Sequence, residues 1–199
     1  MDFGYKEEKD SPFREILQEW PILLIEIIVA VLLGFLLVRF GFEKTIVSGV
    51  SMEPTLQEQE CILINKMSYK LLSPKHNDVI VYKLEAKEHE YYSVKRVVGL
   101  PGETIQIKDG ILYVNGEVYK EKMDVEEMIT AGVAEDEITL EKGEYFVLGD
   151  NRNQSEDSRY SSVGMITKRE IIGKAWLRLK PSFGIISWLS YKDEDAKEK

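Results

Sequence analysis

Histidine is nearly missing from this chain of 199 residues: there are two, His76 and His89, each in a polar stretch with no serine signature beside it. A Ser-His-Asp triad has little to be built from, and no His/Cys/Asp/Glu cluster has the spacing of a metal site. Cysteine is scarcer still. Cys61 is alone, so no internal disulfide can form, and within Cys61-Ile62-Leu63-Ile64 it reads as a small buried hydrophobe. Basic excess is also lacking, since 26 Lys+Arg against 35 Asp+Glu leave a formal charge of −9. That balance argues against nucleic acid, which is bound through clustered cationic surface. There is no internal repeat or low-complexity tract, and nothing calls for a cofactor.

What is present first is one long apolar run. The 19 residues 22–40 carry Glu26 and Arg39 as their charges, and at 1.5 Å per residue they span about 28 Å, close to the thickness of a bilayer core. Pro21 suits a helix start and Trp20 an interface. Glu26 lies near one end, where its carboxylate can snorkel. The run is long for a cleavable leader and no small-x-small site follows closely, so it reads as a retained anchor over 21–40, after a short segment 1–20. Flanking charge orients it weakly, with Lys6, Lys9 and Arg14 before and Arg39 and Lys44 after.

Residues 41–191 suffice for one well-buried domain, and 44% of all residues are hydrophobic. Short apolar or alternating runs bounded by turn residues predict strands at 61–65, 79–83, 91–98, 104–108, 111–114, 145–148 and 172–179. Asp109-Gly110 predicts a hairpin turn and Asn115-Gly116 another. Short helices are expected at 68–72 and 125–130 and a turn at 168–170. The acidic stretch 120–144 is expected to be a small insert, and the mixed-charge tail 192–199 to be disordered. Residues 181–189 are apolar and aromatic but too short to span, which suits a membrane-surface contact or a strand end on the core equally.

Two runs then stand out, Ser48-Gly49-Val50-Ser51-Met52-Glu53-Pro54-Thr55-Leu56 and Tyr92-Ser93-Val94-Lys95-Arg96-Val97-Val98-Gly99. A lysine can activate a serine only when neutral, and its ordinary pKa of about 10.4 leaves under a thousandth deprotonated at pH 7. Apolar burial can lower that by roughly 3–5 units. On a strand, Lys95 shares a face with Ser93 and Val97, and Arg96 takes the other face with Val94 and Val98. Alone, Val-Lys-Arg-Val is more often a solvated surface strand. A third run changes the balance: Tyr145-Phe146-Val147-Leu148-Gly149-Asp150-Asn151-Arg152-Asn153-Gln154-Ser155-Glu156-Asp157-Ser158-Arg159, an apolar strand emptying into a polar loop.

In this order, the three runs resemble the bacterial type I signal peptidases. The resemblance implies a mostly antiparallel β catalytic domain, of the kind shared with self-cleaving repressors, behind a single N-terminal transmembrane helix. It implies a serine endopeptidase that removes signal peptides after small residues, with Ser51 as nucleophile, Lys95 as general base and no metal or cofactor. Ser155 would bond the lysine amine, Asp157 and Arg159 would hold the loop, Arg96 would pair with Asp157, and Met52 would pack beside the site. Substrate would lie extended along Val50, Met52, Tyr92 and Val94. The Ser51 N–H would be one oxyanion donor. The position where some members carry a second donor side chain is Gly49, which offers only its backbone. Lysine rather than histidine at position 95 resembles the bacterial type. Partners would be preprotein signal peptides leaving a secretion channel and the lipid bilayer, with the N-terminus cytoplasmic and the catalytic domain outside. Two rival readings are a self-cleaving repressor, for which Ala131-Gly132 lies on the wrong side of Lys95, and a catalytically silent binding protein, against which Ser51, Lys95 and Ser155 stand intact.

Overall fold

The computed structural model describes residues 12–83 and 92–189. The tail 192–199, His89, the expected strand start at Tyr91 and most of the segment before the apolar run lie outside them. The chain divides into two compact units, one ending at Gly41 and one beginning at Phe42.

The first unit is the helix α1, Pro12–Gly41. Within Trp20–Gly41 an 18-residue stretch reaches a mean hydropathy of 2.9, so the helix is long and apolar enough to cross a membrane, and its apolar side chains from Ile22 onward are exposed. Pro21 lies inside the helix, not at its start as expected. Pro12 takes the first position, where a missing N–H costs nothing, and the good helix formers between the two prolines carry the turns across.

The second unit is mainly strands: β1 Phe42–Ile46, β2 Cys61–Asn65, β3 Val79–Tyr82, β4 Ser93–Gly99, β5 Thr104–Lys108, β6 Ile111–Val114, β7 Glu117–Val118, β8 Ile138–Thr139, β9 Glu144–Leu148, β10 Ile166–Thr167, β11 Ile171–Lys180 and β12 Gly184–Ile185. Two short helices join them, α2 Ser68–Leu71 and α3 Ile186–Leu189. The expected antiparallel β architecture is present. An eight-stranded sheet runs β1-β2-β11-β3-β4-β9-β10 with β12 on β11, and a four-stranded sheet runs β7-β6-β5-β8. The late strand β11 lies between β2 and β3, joining the β1–β2 pair to the β3–β4 pair.

Three apolar clusters pack against these sheets. Met52, Leu56, Ile62, Ile64, Val81 and Val94 belong to one, Val98, Ile105, Phe146 and Leu148 to a second, and Ile80, Tyr82, Val97 and Val147 to a third. Asp109-Gly110 and Asn115-Gly116 make the expected tight turns, all four residues having positive φ, as two-residue hairpin turns require.

Two expectations fail locally. Residues 125–130 are not helical, because their backbone groups bond to other elements, Met128 N–H to the Gly110 carbonyl and Ile129 N–H to Asn153 Oδ1. Cys61 is half-buried, not buried, since β2 alternates and points Ile62 and Ile64 inward instead. Within residues 181–189, whose sequence suits a membrane-surface contact and packing on the core equally, Phe183 is 72% exposed and Ile186 fully buried.

Candidate active site

Ser51 opens a tight turn between β1 and β2. Glu53 N–H returns to the Val50 carbonyl at 3.1 Å and Leu56 N–H to the Met52 carbonyl at 2.8 Å. Met52 and Leu56 pin this turn, both being fully inside the first apolar cluster, each burial contributing about 1.5–3 kcal/mol. The turn thus leaves Ser51 partly exposed on an anchored frame.

Lys95 reaches it from β4. Its Nζ lies 2.7 Å from Ser51 Oγ. Strand β4 pairs with β3 on one side, Lys95 opposite Ile80, and with β9 on the other. Burial of the whole strand leaves Lys95 only 6% exposed, and that desolvation lowers its pKa from 10.5 although Asp157, Glu156 and Asp150 pull the other way. Among the described residues no carboxylate forms an ion pair with it. The neighbouring cation is treated oppositely: Arg96, 2% exposed, receives Asp150 in a two-pronged pair, Nε to Oδ1 at 2.7 Å and Nη2 to Oδ2 at 2.6 Å.

This corrects the expected pairing of Arg96 with Asp157. Asp157 instead holds Arg159, whose Nε donates to Oδ1 at 2.8 Å and Nη2 to Oδ2 at 2.9 Å, and it accepts the Gly149 N–H at 3.1 Å. Asp150 lies two residues beyond β9 and faces Arg96 through the Arg96–Leu148 register, whereas Asp157 is turned back toward its own loop. The expected Ser155–Lys95 bond is also not made. Lys95 is engaged by Ser51, and Ser155 Oγ is a buried hydroxyl with no partner among the described residues. The other loop serine is occupied, Ser158 Oγ accepting from Val147 N–H at 3.0 Å. A side chain at Gly149 would meet Ser155 Oγ at 2.2 Å and the Ser51 carbonyl oxygen at 2.5 Å, so glycine is what lets the two loops touch.

Comparisons with known proteins place the chain in a family. A family model described as signal peptidase, peptidase S26, matches residues 19–180. The chain belongs to that family. A signal peptidase I from Bacillus licheniformis is 36% identical over 84% of this chain and 90% of its own, and a signal peptidase I T from Bacillus subtilis is 38% identical over 74% and 78%. A solved signal peptidase I from Enterococcus faecalis aligns at 29% identity over 51% of this chain and 95% of that one, with a TM-score of 0.38. The protein is thus a serine endopeptidase of the signal peptidase I family, and cleavage of signal peptides is the activity that membership supports.

For a signal peptidase, the remaining expected residues fall into two groups. Val50 and Tyr92 are partly exposed, whereas Met52 and Val94 are members of the buried cluster beneath them. The Gly49 N–H, the possible second oxyanion donor, is already given to Glu58 Oε1 at 3.2 Å. Three contributors were not singled out from sequence: Asp150, which neutralises Arg96; Asn151, whose N–H reaches the Ser51 carbonyl at 3.1 Å and whose Nδ2 reaches the Val50 carbonyl at 3.3 Å; and Arg152, whose Nε holds the Gly149 carbonyl at 3.1 Å. Their signal was the polar loop itself, in which Gly-Asp-Asn-Arg reads as an ordinary turn. Ala131-Gly132, the bond a self-cleaving repressor would cut, enters a 3-10 turn rather than an extended strand.

Proposed function

We propose that this signal peptidase works through Ser51 as nucleophile and Lys95 as general base, tethered to a membrane by α1. The 2.7 Å contact between Lys95 Nζ and Ser51 Oγ, inside a buried strand, is the observation that carries the reading. In the neutral form the amine accepts the hydroxyl proton as Oγ attacks the scissile carbonyl, and the resulting ammonium can return it to the leaving amine. The Ser51 N–H donates to no partner among the described residues and is the oxyanion donor. Ser155 supplies an unpartnered buried hydroxyl on the facing loop, available to the amine once it is charged.

Substrate would be the signal peptide of a preprotein, laid extended and cut after small residues. Among the described residues the β9 side of Ser93 to Lys95 carries no ladder partner, because β9 joins β4 only from Arg96 onward. A peptide strand added there gains main-chain hydrogen bonds and presents alternate side chains to the floor made by Met52 and Val94. An N-terminus inside and a catalytic unit outside would place the site where signal peptides emerge.

The test is cleavage of a purified preprotein by the wild type and single variants. Ser51→Ala and Lys95→Arg are each expected to lose roughly 10⁴- to 10⁶-fold in turnover, the guanidinium staying charged at any usable pH. Ser155→Ala should lose less. The wild-type rate should climb with pH through a midpoint below that of free lysine. Substantial turnover by Lys95→Arg would overturn the Ser-Lys mechanism.

A further inference from the structure

Residues 121–130, part of the acidic stretch 120–144 expected to be a small insert, grip the loop that carries Ser155. Glu121 Oε1 accepts from Arg152 Nη1 at 2.7 Å. Asn153 Nδ2 donates to Glu126 Oε2 at 3.2 Å and to the Glu127 carbonyl at 3.1 Å, and Asn153 Oδ1 accepts the Ile129 N–H at 3.0 Å. The Thr130 carbonyl accepts from Arg159 Nη1 at 3.2 Å, and Val133 N–H donates to the Arg159 carbonyl at 2.9 Å. The other side of the segment is pinned to the β5–β6 hairpin by Met128 N–H on the Gly110 carbonyl at 3.1 Å. At Gly132 a side-chain carbon would lie 2.1 Å from the Arg159 carbonyl oxygen, so the approach admits nothing larger than glycine.

Arg152 carries this grip inward. It is 2% exposed, its carboxylate partner is Glu121, and its Nε bonds the Gly149 carbonyl at 3.1 Å. Gly149 is where the loop touches both the Ser51 backbone and Ser155. A chain of contacts therefore runs from Glu121 through Arg152 and Gly149 to the nucleophile turn.

We propose that Glu121–Thr130 is a strap that sets the catalytic loop against the nucleophile turn, and that Glu121 is a positioning residue acting through Arg152. The proposal rests on the Ser51–Lys95 reading and adds to it a residue from an insert that touches no reacting atom. A slack strap lets the loop drift from Ser51 and admits water beside Lys95. Because burial outweighs the loop carboxylates at that amine, wetting moves the midpoint of the rate upward.

The experiment measures kcat and KM on a purified preprotein across pH, with the full-length chain in detergent. Glu121→Ala is expected to lower kcat by roughly 10- to 100-fold, the scale of a small misplacement remote from the chemistry, with KM little changed and the pH midpoint raised. Glu121→Gln, which keeps an oxygen for Arg152 Nη1, should recover most of the rate. An unchanged kcat and midpoint in Glu121→Ala overturns the strap. So does a kcat that falls only as the folded fraction falls, with the midpoint fixed. If Glu121→Ala does not fold, Asn153→Ala, which releases the same segment, takes its place under the same criteria; failure of both to fold makes the segment ordinary structural support and ends the proposal. Ser51→Ala in parallel separates the readings, since surviving activity there sinks the dyad, whereas a dead Ser51→Ala beside a wild-type-like Glu121→Ala sinks only the strap.

Discussion

Lys95 and Arg96 are consecutive cations in one buried strand, and they meet opposite fates. Arg96 keeps its charge, being protonated at any usable pH, and Asp150 supplies the matching carboxylate. Lys95 is given a hydroxyl and, among the described residues, no ion pair, so burial bears directly on its proton. The unfolded chain holds that proton up to the ordinary value of 10.5, while the folded chain releases it at lower pH. Between the two values the unfolded state binds more protons, so stability rises with pH there, and the full cost of burying the amine is felt below the folded midpoint. Lys95→Met, apolar and of similar length, is therefore expected to be inactive yet to melt higher than the wild type. Its gain should be greatest in mild acid and shrink as pH approaches 10.5. Thermal melting at several pH values checks this, and a lower melting point at every pH would show that the amine is not under strain.

At the scale of elements, the site is a meeting of two loops across Gly149. Gly149→Ala is expected to keep the sheets but push the 149–159 loop away from Ser51, since the added carbon has contacts of 2.2 and 2.5 Å to clear; turnover should fall by roughly 100-fold on the scale of a small misplacement, with far-UV circular dichroism unchanged. Full activity would mean the loops yield freely. The elements legible in the sequence were those with a strong local pattern. Strands β2, β5 and β6 alternate or run apolar between turn residues, and Asp109-Gly110 and Asn115-Gly116 can adopt the positive φ their turns need. Strand β1 was not foreseen because Phe42-Glu43-Lys44-Thr45-Ile46 is an edge with charges and little burial, and β7, β8, β10 and β12, two residues each, are too short for any period to show. Ser51 and Lys95 were legible through the runs around them. Which carboxylate faces Arg96 was not, because Asp150 and Asp157 share one polar loop and only the β4–β9 register distinguishes them. The strap was invisible for the same reason, its bonds being to a partner more than twenty residues away.

At the scale of the molecule, the unit beginning at Phe42 holds the three apolar clusters and both sheets. A chain starting there is expected to fold and to cleave a peptide substrate, faster with detergent or lipid, as read by melting and by product release. Failure to fold would mean that α1 is part of the catalytic core. Within that unit the order of the sheet has a consequence in time. The nucleophile turn lies between β1 and β2, Lys95 lies on β4, and the hydrogen-bonded bridge between those pairs is β11, made only when residues 171–180 exist. A chain emerging from the ribosome possesses both Ser51 and Lys95 long before it possesses the strand that sets them in one sheet. The nascent protein is accordingly expected to be silent for most of its synthesis, and a version ending at Glu170 should be too, although Ser51 and Lys95 are both present. Supplying residues 171–189 as a separate peptide should restore some turnover, and turnover by the shortened chain alone would show that the nucleophile turn finds its lysine without the last strand.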